Sequence, residues 1–163
     1  MNILLKVKLC LASLLILGIF VEIGISATPP KPVFTQESSS AKVGRLLERS
    51  GYKYEKKGAE VWTIAFTAKT LASFNVILAT QDDLLVTFVI ISHKKDIELT
   101  PAFMQKLLKF NHNLDRVKVG IDDDGDLFVR TDQAIRVVDD KEFKDNVEQV
   151  AAAANEVYAG IKP

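Results

Sequence analysis

The sequence predicts an α+β fold in which an antiparallel sheet carries helices on one side. Three observations lead to this prediction. Apolar residues recur at helical spacing in three segments, near residues 41–50, 100–114 and 139–160. Between these segments, apolar residues alternate with the period of two that is typical of β-strands. Short polar turns join consecutive strands. The resulting order of helix, strands, helix, strand pair and helix is typical of α+β domains.

The first 27 residues have the pattern of a secretory signal peptide. Two lysines precede residues 9–21, which carry no charge, and small residues then lead to an expected cleavage site after Ala27 or Ser26. A helix that crosses a bilayer needs about 20 apolar residues, and the charge-free run is shorter. We therefore expect a periplasmic or secreted protein. The alternative is a membrane anchor formed by an uncleaved segment that tolerates Glu22.

Cleavage would change the composition of the domain that remains. The full chain of 163 residues has a formal net charge of zero, and the segment carries two lysines and one glutamate, so its removal leaves a charge of −1. Cys10, the single cysteine, is also removed, which excludes disulfides and cysteine-based metal sites. A nearly neutral domain without a basic block gives no electrostatic reason to expect nucleic acid as a partner.

A linker and a short helix follow the signal segment. Residues 28–40 contain three prolines and a serine run, which predict a linker. The folded domain is expected to span residues 41–163. Its first helix should cover residues 41–50, end before Gly51 and present an apolar face formed by Val43, Leu46 and Leu47.

Four strands are predicted next, at residues 52–56, 61–67, 73–80 and 84–91. Trp62 lies on the apolar face of the second strand, and we expect it in the core. The fourth strand is apolar almost throughout, which favours a central strand that is covered on both faces. We therefore expect its apolar side chains to be buried, among them Leu85, Phe88 and Ile90.

The second half of the domain is predicted to contain two helices that flank a strand pair. Thr100 and Pro101 form a typical helix start, with a hydroxyl cap and a proline at the first helical position. The strands should cover residues 117–121 and 127–131, and residues 135–138 extend or follow the second of them. Asp139 and Asp140 are expected to cap the last helix, which runs to about Gly160.

The acidic turn at residues 122–126 is the strongest candidate for a metal site. If Gly125 took position six of an EF-hand loop, Gly120 and Thr131 would fall at positions one and twelve, where oxygen ligands are required. Two ligands are then missing, so we interpret the segment as a hairpin turn and predict no metal ligand.

The sequence offers no recognisable catalytic residues. His93 and His112 are the only histidines, and neither has a second ligand at zinc-binding spacing. No Gly-x-Ser-x-Gly motif and no glycine-rich phosphate loop is present. We therefore predict no catalytic residue, no cofactor and no enzymatic activity, although a Ser-His-Asp triad that assembles only in space stays open.

The last helix carries the clearest signal for an interface. Its apolar residues recur at steps of four and three, as in a heptad seam, and alanines lie at its middle. One interpretation is that the helix packs on its own sheet. The other is a homodimer, in which the overhanging helix end would pair with a second copy, unless the first helix covers the overhang. The candidate interface residues are Val150, Ala154, Val157, Tyr158 and Ile161.

Residues 103–158 resemble the YbjN-type domain, which is related in fold to class I type III secretion chaperones. The similarity lies in the helix that ends at residues 107–111, the strand at 117–121, the hairpin at 124–127 and the closing helix at 143–158. With the element order, it covers residues 41–161. The resemblance implies a compact sheet with helices on one side, frequent dimerisation and the binding of peptides or proteins rather than catalysis. It implies no active-site residues. The type III chaperones act in the cytoplasm, so the predicted export signal is a difference from them.

Three hypotheses for the function follow. The first is an exported binding module that takes an extended peptide or a protein partner through a sheet edge or an apolar groove. The second is an envelope-associated structural homodimer. The third is a hydrolase with a triad that the sequence does not reveal. A flat apolar groove would favour the first hypothesis, and polar clusters converging in a deep pocket would favour the third.

Overall fold

The computed structural model describes residues 37–162, so the predicted signal peptide and most of the predicted linker lie outside the described residues. Three α-helices, six strands and two short 3-10 turns follow one another in the order predicted from the sequence. The elements are α1 (Ser39–Ser50), β1 (Tyr54–Lys56), β2 (Val61–Ala68), β3 (Ala72–Gln81), β4 (Leu84–Ser92), a turn (Lys94–Asp96), α2 (Pro101–Asn113), β5 (Lys118–Ile121), β6 (Leu127–Ala134), a second turn (Ile135–Val137) and α3 (Asp140–Ile161).

The six strands form one antiparallel sheet in the order β1-β2-β3-β4-β6-β5. Hairpins join β1 to β4 in sequence, and β6 then pairs with β4, which leaves β5 at the edge. Helix α3 runs across β4 and β6, α1 packs beside α3, and α2 lies along β5. The predicted α+β fold, with helices on one side of the sheet, is confirmed.

The hydrophobic core lies between the sheet and the three helices. Alternate residues of β2 to β6 point into it, because successive side chains of a strand face opposite sides of the sheet. Trp62 is only 2% exposed, as predicted. The large side chains that meet in this layer include Ile64, Val76, Leu78, Leu85, Val89, Leu127, Val129, Phe143, Val147 and Val150.

The expectation that β4 is covered on both faces is wrong. Leu85 and Val89 are fully buried under α3, whereas Phe88 and Ile90 point to the other face and are only partly buried. Within residues 37–162, no helix lies over that second face. The two faces of β4 therefore differ: one set of apolar residues fills the core, and on the other face Val86 is buried while Phe88 and Ile90 are partly exposed.

Local capping explains where the helices begin. Ser38 accepts a hydrogen bond from the Ala41 amide, so α1 starts at Ser39, two residues earlier than predicted. Thr100 accepts from the Phe103 amide and Asp139 accepts from the Glu142 amide, as expected for caps of α2 and α3. Among the described helices, none has the length and apolar character that a bilayer crossing requires.

Candidate binding site on the open face of the sheet

A cleft of about 260 Å³ lies on the face of the sheet that the described helices leave uncovered. We call it the open-face cleft. It spans the middle of the sheet, with walls from β3, β4 and β6 and one end at the turn after β5. Its lining residues are Ala79, Gln81, Val86, Phe88, Ile90, Asp122, Phe128 and Arg130.

The strand register brings these side chains together. Phe88 is the cross-strand neighbour of Arg130, and Ile90 is the neighbour of Phe128. On the other side of β4, Val86 pairs with Ala79. Because side chains opposite each other in an antiparallel sheet lie on the same face, the three strands form a continuous apolar floor. This floor continues the apolar run that the sequence shows in β4.

Gly120 shapes one wall of the cleft. It pairs with Phe128, and a Cβ atom placed on Gly120 would lie 2.7 Å from Cζ of the Phe128 ring. That distance is shorter than a non-bonded contact between two carbon atoms allows. The ring therefore occupies the space that a side chain on Gly120 would fill. Glycine at this position therefore allows the Phe128 ring to lie over β5.

The charged groups of the cleft lie at its two ends. Asp132 accepts hydrogen bonds from Lys118 Nζ on one carboxylate oxygen and from Arg130 Nε, at 2.7 Å, on the other. Partial burial acts to raise the pKa of Asp132, but the hydrogen bonds from Lys118 and Arg130 outweigh it and leave the pKa below its ordinary value. Asp122 lines the opposite end, where its Oδ1 accepts the Asp126 amide at 2.8 Å.

Comparison with known proteins places this fold in a family. The sequence profile named YbjN and described as "Putative bacterial sensory transduction regulator" matches residues 39–163. The chain belongs to the YbjN family. Among curated proteins, no match is found.

Solved structures resemble the YbjN domain at low sequence identity. YbjN from E. coli, described as a putative transcription regulator, is 15% identical with a TM-score of 0.53, over 76% of this chain and 92% of that chain. A chain of the ExoU–SpcU complex from the type III secretion system of Pseudomonas aeruginosa is 17% identical with a TM-score of 0.49, over 71% and 90%. The Yersinia pestis type III secretion chaperone SycH, solved with a fragment of YscM2, is 15% identical with a TM-score of 0.46, over 72% and 97%.

The acidic segment of the YbjN domain is a hairpin turn between β5 and β6. The Gly125 amide donates to the Asp122 carbonyl, and Gly125 has a φ of 89°, a left-handed conformation that glycine adopts without strain. The predicted hairpin is confirmed. Part of the Asp122 carboxylate is used inside the turn, and the expectation that the turn holds no specific metal stays a prediction.

His93 has a partner that the sequence analysis missed. Its Nδ1 lies 2.7 Å from Oδ2 of Asp126, while Oδ1 of Asp126 accepts the Lys94 amide at 2.9 Å. These hydrogen bonds hold the pKa of Asp126 below its ordinary value. The bond from the Lys94 amide has the larger effect, and the bond from His93 follows. The depression beside this pair is lined by His93, Lys94, Lys95 and Asp126. No hydroxyl or thiol side chain belongs to this lining.

A buried polar cluster connects α3 to the sheet. Asn146 is 1% exposed and accepts a hydrogen bond from the hydroxyl of Thr131. Its amide nitrogen donates to Gln133 at 2.8 Å and to Thr87 at 3.3 Å. The cluster bridges α3, β4 and β6 inside an apolar layer, so it fixes which residues of α3 face the two strands.

The candidate interface residues of α3 are mainly core residues. Val150, Ala154 and Val157 are fully buried within their own chain, and Tyr158 and Ile161 are partly buried against the same core. The helix therefore packs on its own sheet, and a second copy could reach only Tyr158 and Ile161 without displacing it. The interface at this helix end stays a prediction that depends on these two residues.

Phe110 of α2 lies against the last turn of α3, an end for which the sequence suggested only α1 as a cover. A Cβ atom on Gly160 would overlap the ring of Phe110, which lies directly against the helix. Phe110 belongs to α2, at the end where α2 passes the last turns of α3. Close packing between these two helices therefore requires glycine at position 160.

Side-chain hydrogen bonds occupy part of one edge of the sheet. On β5, the Val119 amide donates to Asn111 Oδ1 at 2.7 Å, and Asn111 Nδ2 donates to the Val119 carbonyl at 2.9 Å. The side-chain amide of Asn111 thus takes the place that the backbone of another strand would occupy. At the other edge, β1 is only three residues long.

Proposed function

We propose that this YbjN-family protein is an exported, non-enzymatic binding module that holds an extended apolar segment of a protein partner in the open-face cleft. The observation that carries the proposal is the apolar floor formed by Val86, Phe88, Ile90 and Phe128 on a face that no described helix covers. A cleft lined mainly by apolar side chains with a few polar groups is typical of binding sites.

The face of the sheet is a better candidate than its edges. Binding by strand addition needs a row of free backbone donors and acceptors. Asn111 occupies such groups on β5, and β1 offers only three residues. The cleft, in contrast, joins side chains of three strands and can hold apolar side chains of a partner without any change in the sheet.

Binding is favoured over hydrolysis by the chemistry of the two sites. A hydrolase of the Ser-His-Asp type needs a hydroxyl beside the histidine of a His–Asp pair. His93 and Asp126 form such a pair, but their shallow depression is lined by lysines, and the side chain of His93 is 64% exposed. The open-face cleft holds apolar side chains, one arginine, one glutamine and one aspartate, which suits recognition of a ligand.

Export is the part of the proposal that concerns cellular location. The basic start, the charge-free run at residues 9–21 and the small residues before the expected cleavage site support it. We propose that the domain acts in the periplasm or outside the cell, and that its partner is a protein of that compartment. A membrane anchor formed by an uncleaved segment is the alternative.

A peptide titration tests the proposal. The probe is a fluorescent peptide of about ten residues in which leucine and phenylalanine alternate with serine, added to the protein purified from cells that express the full chain. We expect the largest changes in amide NMR signals on β3, β4 and β6, around the open-face cleft. Fluorescence anisotropy should show at least tenfold weaker binding to a Phe88→Ser variant, equivalent to about 1.4 kcal/mol.

The matched control is Val137→Ser, which removes an exposed apolar side chain from the turn after β6 instead of the cleft. We expect this variant to bind the probe as the unchanged protein does. Thermal unfolding of both variants verifies that they fold. Signal changes confined to α2 or to the sheet edges, or equal binding by the Phe88→Ser variant, would refute the proposal.

A further inference from the structure

Arg130, a lining residue of the open-face cleft, belongs to a charge cluster that carries more positive than negative charge. Lys118 and Arg130 both donate to the single carboxylate of Asp132, so two cations share one anion. Arg130 uses only its Nε atom for this bond. Among the residues that the structure describes, neither NH2 group of Arg130 donates a hydrogen bond to a protein acceptor.

The two free NH2 groups of the Arg130 guanidinium are accessible from the cleft. Arg130 is one of its lining residues, it stands opposite Phe88 in the strand register, and its side chain is 36% exposed. A guanidinium group binds a carboxylate through two parallel N–H donors, and such charge-assisted hydrogen bonds are about twice as strong as neutral ones. Asp132 holds Nε, so the guanidinium already has one fixed contact before a ligand arrives.

The opposite end of the cleft repels a second acidic group. The carboxylate of Asp122 belongs to the lining at that end, next to Ile90 and Phe128. Like charges placed close together in a partly desolvated site are unfavourable. The charge pattern therefore accepts a carboxylate near Arg130 and disfavours a run of acidic residues along the whole cleft.

We propose that the open-face cleft selects a partner segment in which one carboxylate side chain stands beside large apolar side chains, and that Arg130 binds this carboxylate. The apolar side chains lie on the floor formed by Phe88, Ile90 and Phe128. This inference rests on the proposed function, because it specifies the chemistry of the segment that the cleft holds. Arg130 thereby determines which apolar segments the cleft binds most tightly.

Three labelled peptides test the assignment. Each has the sequence Gly-Ser-Leu-Phe-Xaa-Leu-Ser-Gly, with glutamate, glutamine or lysine at Xaa, and is titrated by fluorescence anisotropy into the protein purified from cells that express the full chain. We expect the glutamate peptide to bind about five- to tenfold more tightly than the glutamine peptide, as one charge-assisted contact allows. The lysine peptide should bind most weakly.

Variants of the charged residues separate the role of Arg130 from that of general positive charge. In Arg130→Gln, the glutamate and glutamine peptides should bind equally, because the guanidinium that distinguishes a carboxylate from an amide is absent. The matched control is Arg136→Gln, which removes an exposed arginine outside the lining of the cleft and should keep the preference. If Arg130→Gln folds poorly in thermal unfolding, Arg130→Lys replaces it and should show a reduced preference, because lysine lacks the two-pronged geometry.

The outcomes distinguish this inference from the proposed function. Equal binding of the glutamate and glutamine peptides by the unchanged protein would overturn the role of Arg130 but leave peptide binding in the cleft intact. A preference that persists in Arg130→Gln would also overturn it. If none of the three peptides changes the amide signals of β3, β4 and β6, then the proposed function itself fails.

A glycine substitution adds an independent test of the site. Gly120→Ala would displace the Phe128 ring from its place over β5, which changes the shape of the cleft wall. We expect all three peptides to lose affinity by a similar factor, with the order of preference retained. Gly44→Ala is the control, because its added Cβ meets no atom within 4 Å. Unchanged binding by Gly120→Ala would show that the peptides do not use the cleft.

Discussion

Asn146 illustrates how a single polar residue can determine the position of a helix. It is the only side chain of α3 that hydrogen bonds to both β4 and β6 in the described structure, and its partners Thr87 and Thr131 are as deeply buried as it is. A buried polar group costs free energy unless it is paired, so a one-residue shift of α3 would leave several groups unpaired. The cluster therefore specifies the register between the helix and the sheet.

The first prediction concerns this cluster. Asn146→Ala should lower the free energy of unfolding by about 2–3 kcal/mol, because it leaves the hydroxyls of Thr87 and Thr131 without their partner in the core. Denaturant unfolding measures the change. Asn113→Ala, at the exposed end of α2, is the control and should change stability by less than about 0.5 kcal/mol. A loss below about 1 kcal/mol for Asn146→Ala would mean that the cluster contributes little.

The second prediction uses the pH dependence of Asp132. Its pKa is lower in the folded protein than the ordinary value of 3.8, because its hydrogen bonds with Lys118 and Arg130 outweigh the effect of burial. A carboxylate with a lowered pKa stabilises the fold above the ordinary pKa, and this contribution is lost as the pH falls through the folded pKa. The stability difference between the protein and its Asp132→Asn variant should therefore be constant from about pH 7 to 5 and shrink below about pH 4.

Chemical denaturation at several pH values measures this difference. Asp124→Asn provides the control, since Asp124 is exposed at the tip of the hairpin. Its variant removes one carboxylate without touching Lys118 or Arg130. If the gap for Asp132→Asn were the same at pH 3 and pH 7, the carboxylate would not be stabilised by its two cations.

At the scale of elements, β4 has two faces with different functions. Leu85 and Val89 hold the helices, whereas Phe88 and Ile90 form the floor of the open-face cleft.

The third prediction compares the two faces of β4. Leu85→Ala should cost about 2–5 kcal/mol, the usual range for a fully buried leucine, and Phe88→Ala should cost less than about 2 kcal/mol, since its side chain is only partly buried. Equal losses measured by denaturant unfolding would indicate that another element covers the outer face.

The helices and hairpins of this domain follow from local sequence patterns, but the exposure of β4 does not. Caps such as Thr100 and Asp139 act on amides three residues away, so a short window of sequence contains the whole interaction. A continuous apolar run, in contrast, has the same appearance whether a second layer of helices or an accessible cleft lies against it. Only the arrangement of the whole sheet distinguishes the two cases.

The candidate site was missed from sequence for the same reason. Arg130 and Phe88 are 42 positions apart, His93 and Asp126 are 33 apart, and register alone brings each pair together. Gly120 offered no signal as a single glycine, because its importance depends on the ring that lies opposite. Alternation along a strand predicts which face a residue shares with its neighbours, but not which residues of other strands stand beside it.

At the scale of the whole molecule, removal of a leader ahead of the folded domain stays a prediction. The family match begins at residue 39, where α1 also begins. The fourth prediction is that mass spectrometry of the exported protein will show the loss of residues 1–27, or of one residue fewer, because small residues precede both sites. A species of full mass in the membrane fraction would instead identify the segment as an anchor.

The last prediction concerns assembly. A stable interface buries about 1,200–2,000 Å² in total, which is more than two partly buried side chains provide. Tyr158 and Ile161, the residues of the predicted interface that a second copy could reach, are therefore too few to hold a dimer alone. Three large apolar side chains on and before α2 are more exposed, with Leu99 at 43%, Met104 at 41% and Leu108 at 66%.

We expect sedimentation equilibrium to detect a homodimer at tens of micromolar protein, and Leu108→Glu to convert it to a monomer, because a charge at a buried apolar contact cannot be desolvated without cost. Ile161→Glu should weaken the dimer less, since Ile161 already packs against its own core. Ala154→Glu is not a usable probe, because Ala154 is fully buried and a charge there would unfold α3 from the sheet. A dimer that tolerates Leu108→Glu but dissociates with Ile161→Glu would place the interface at the end of α3, and a monomer at all concentrations would refute dimerisation through either helix.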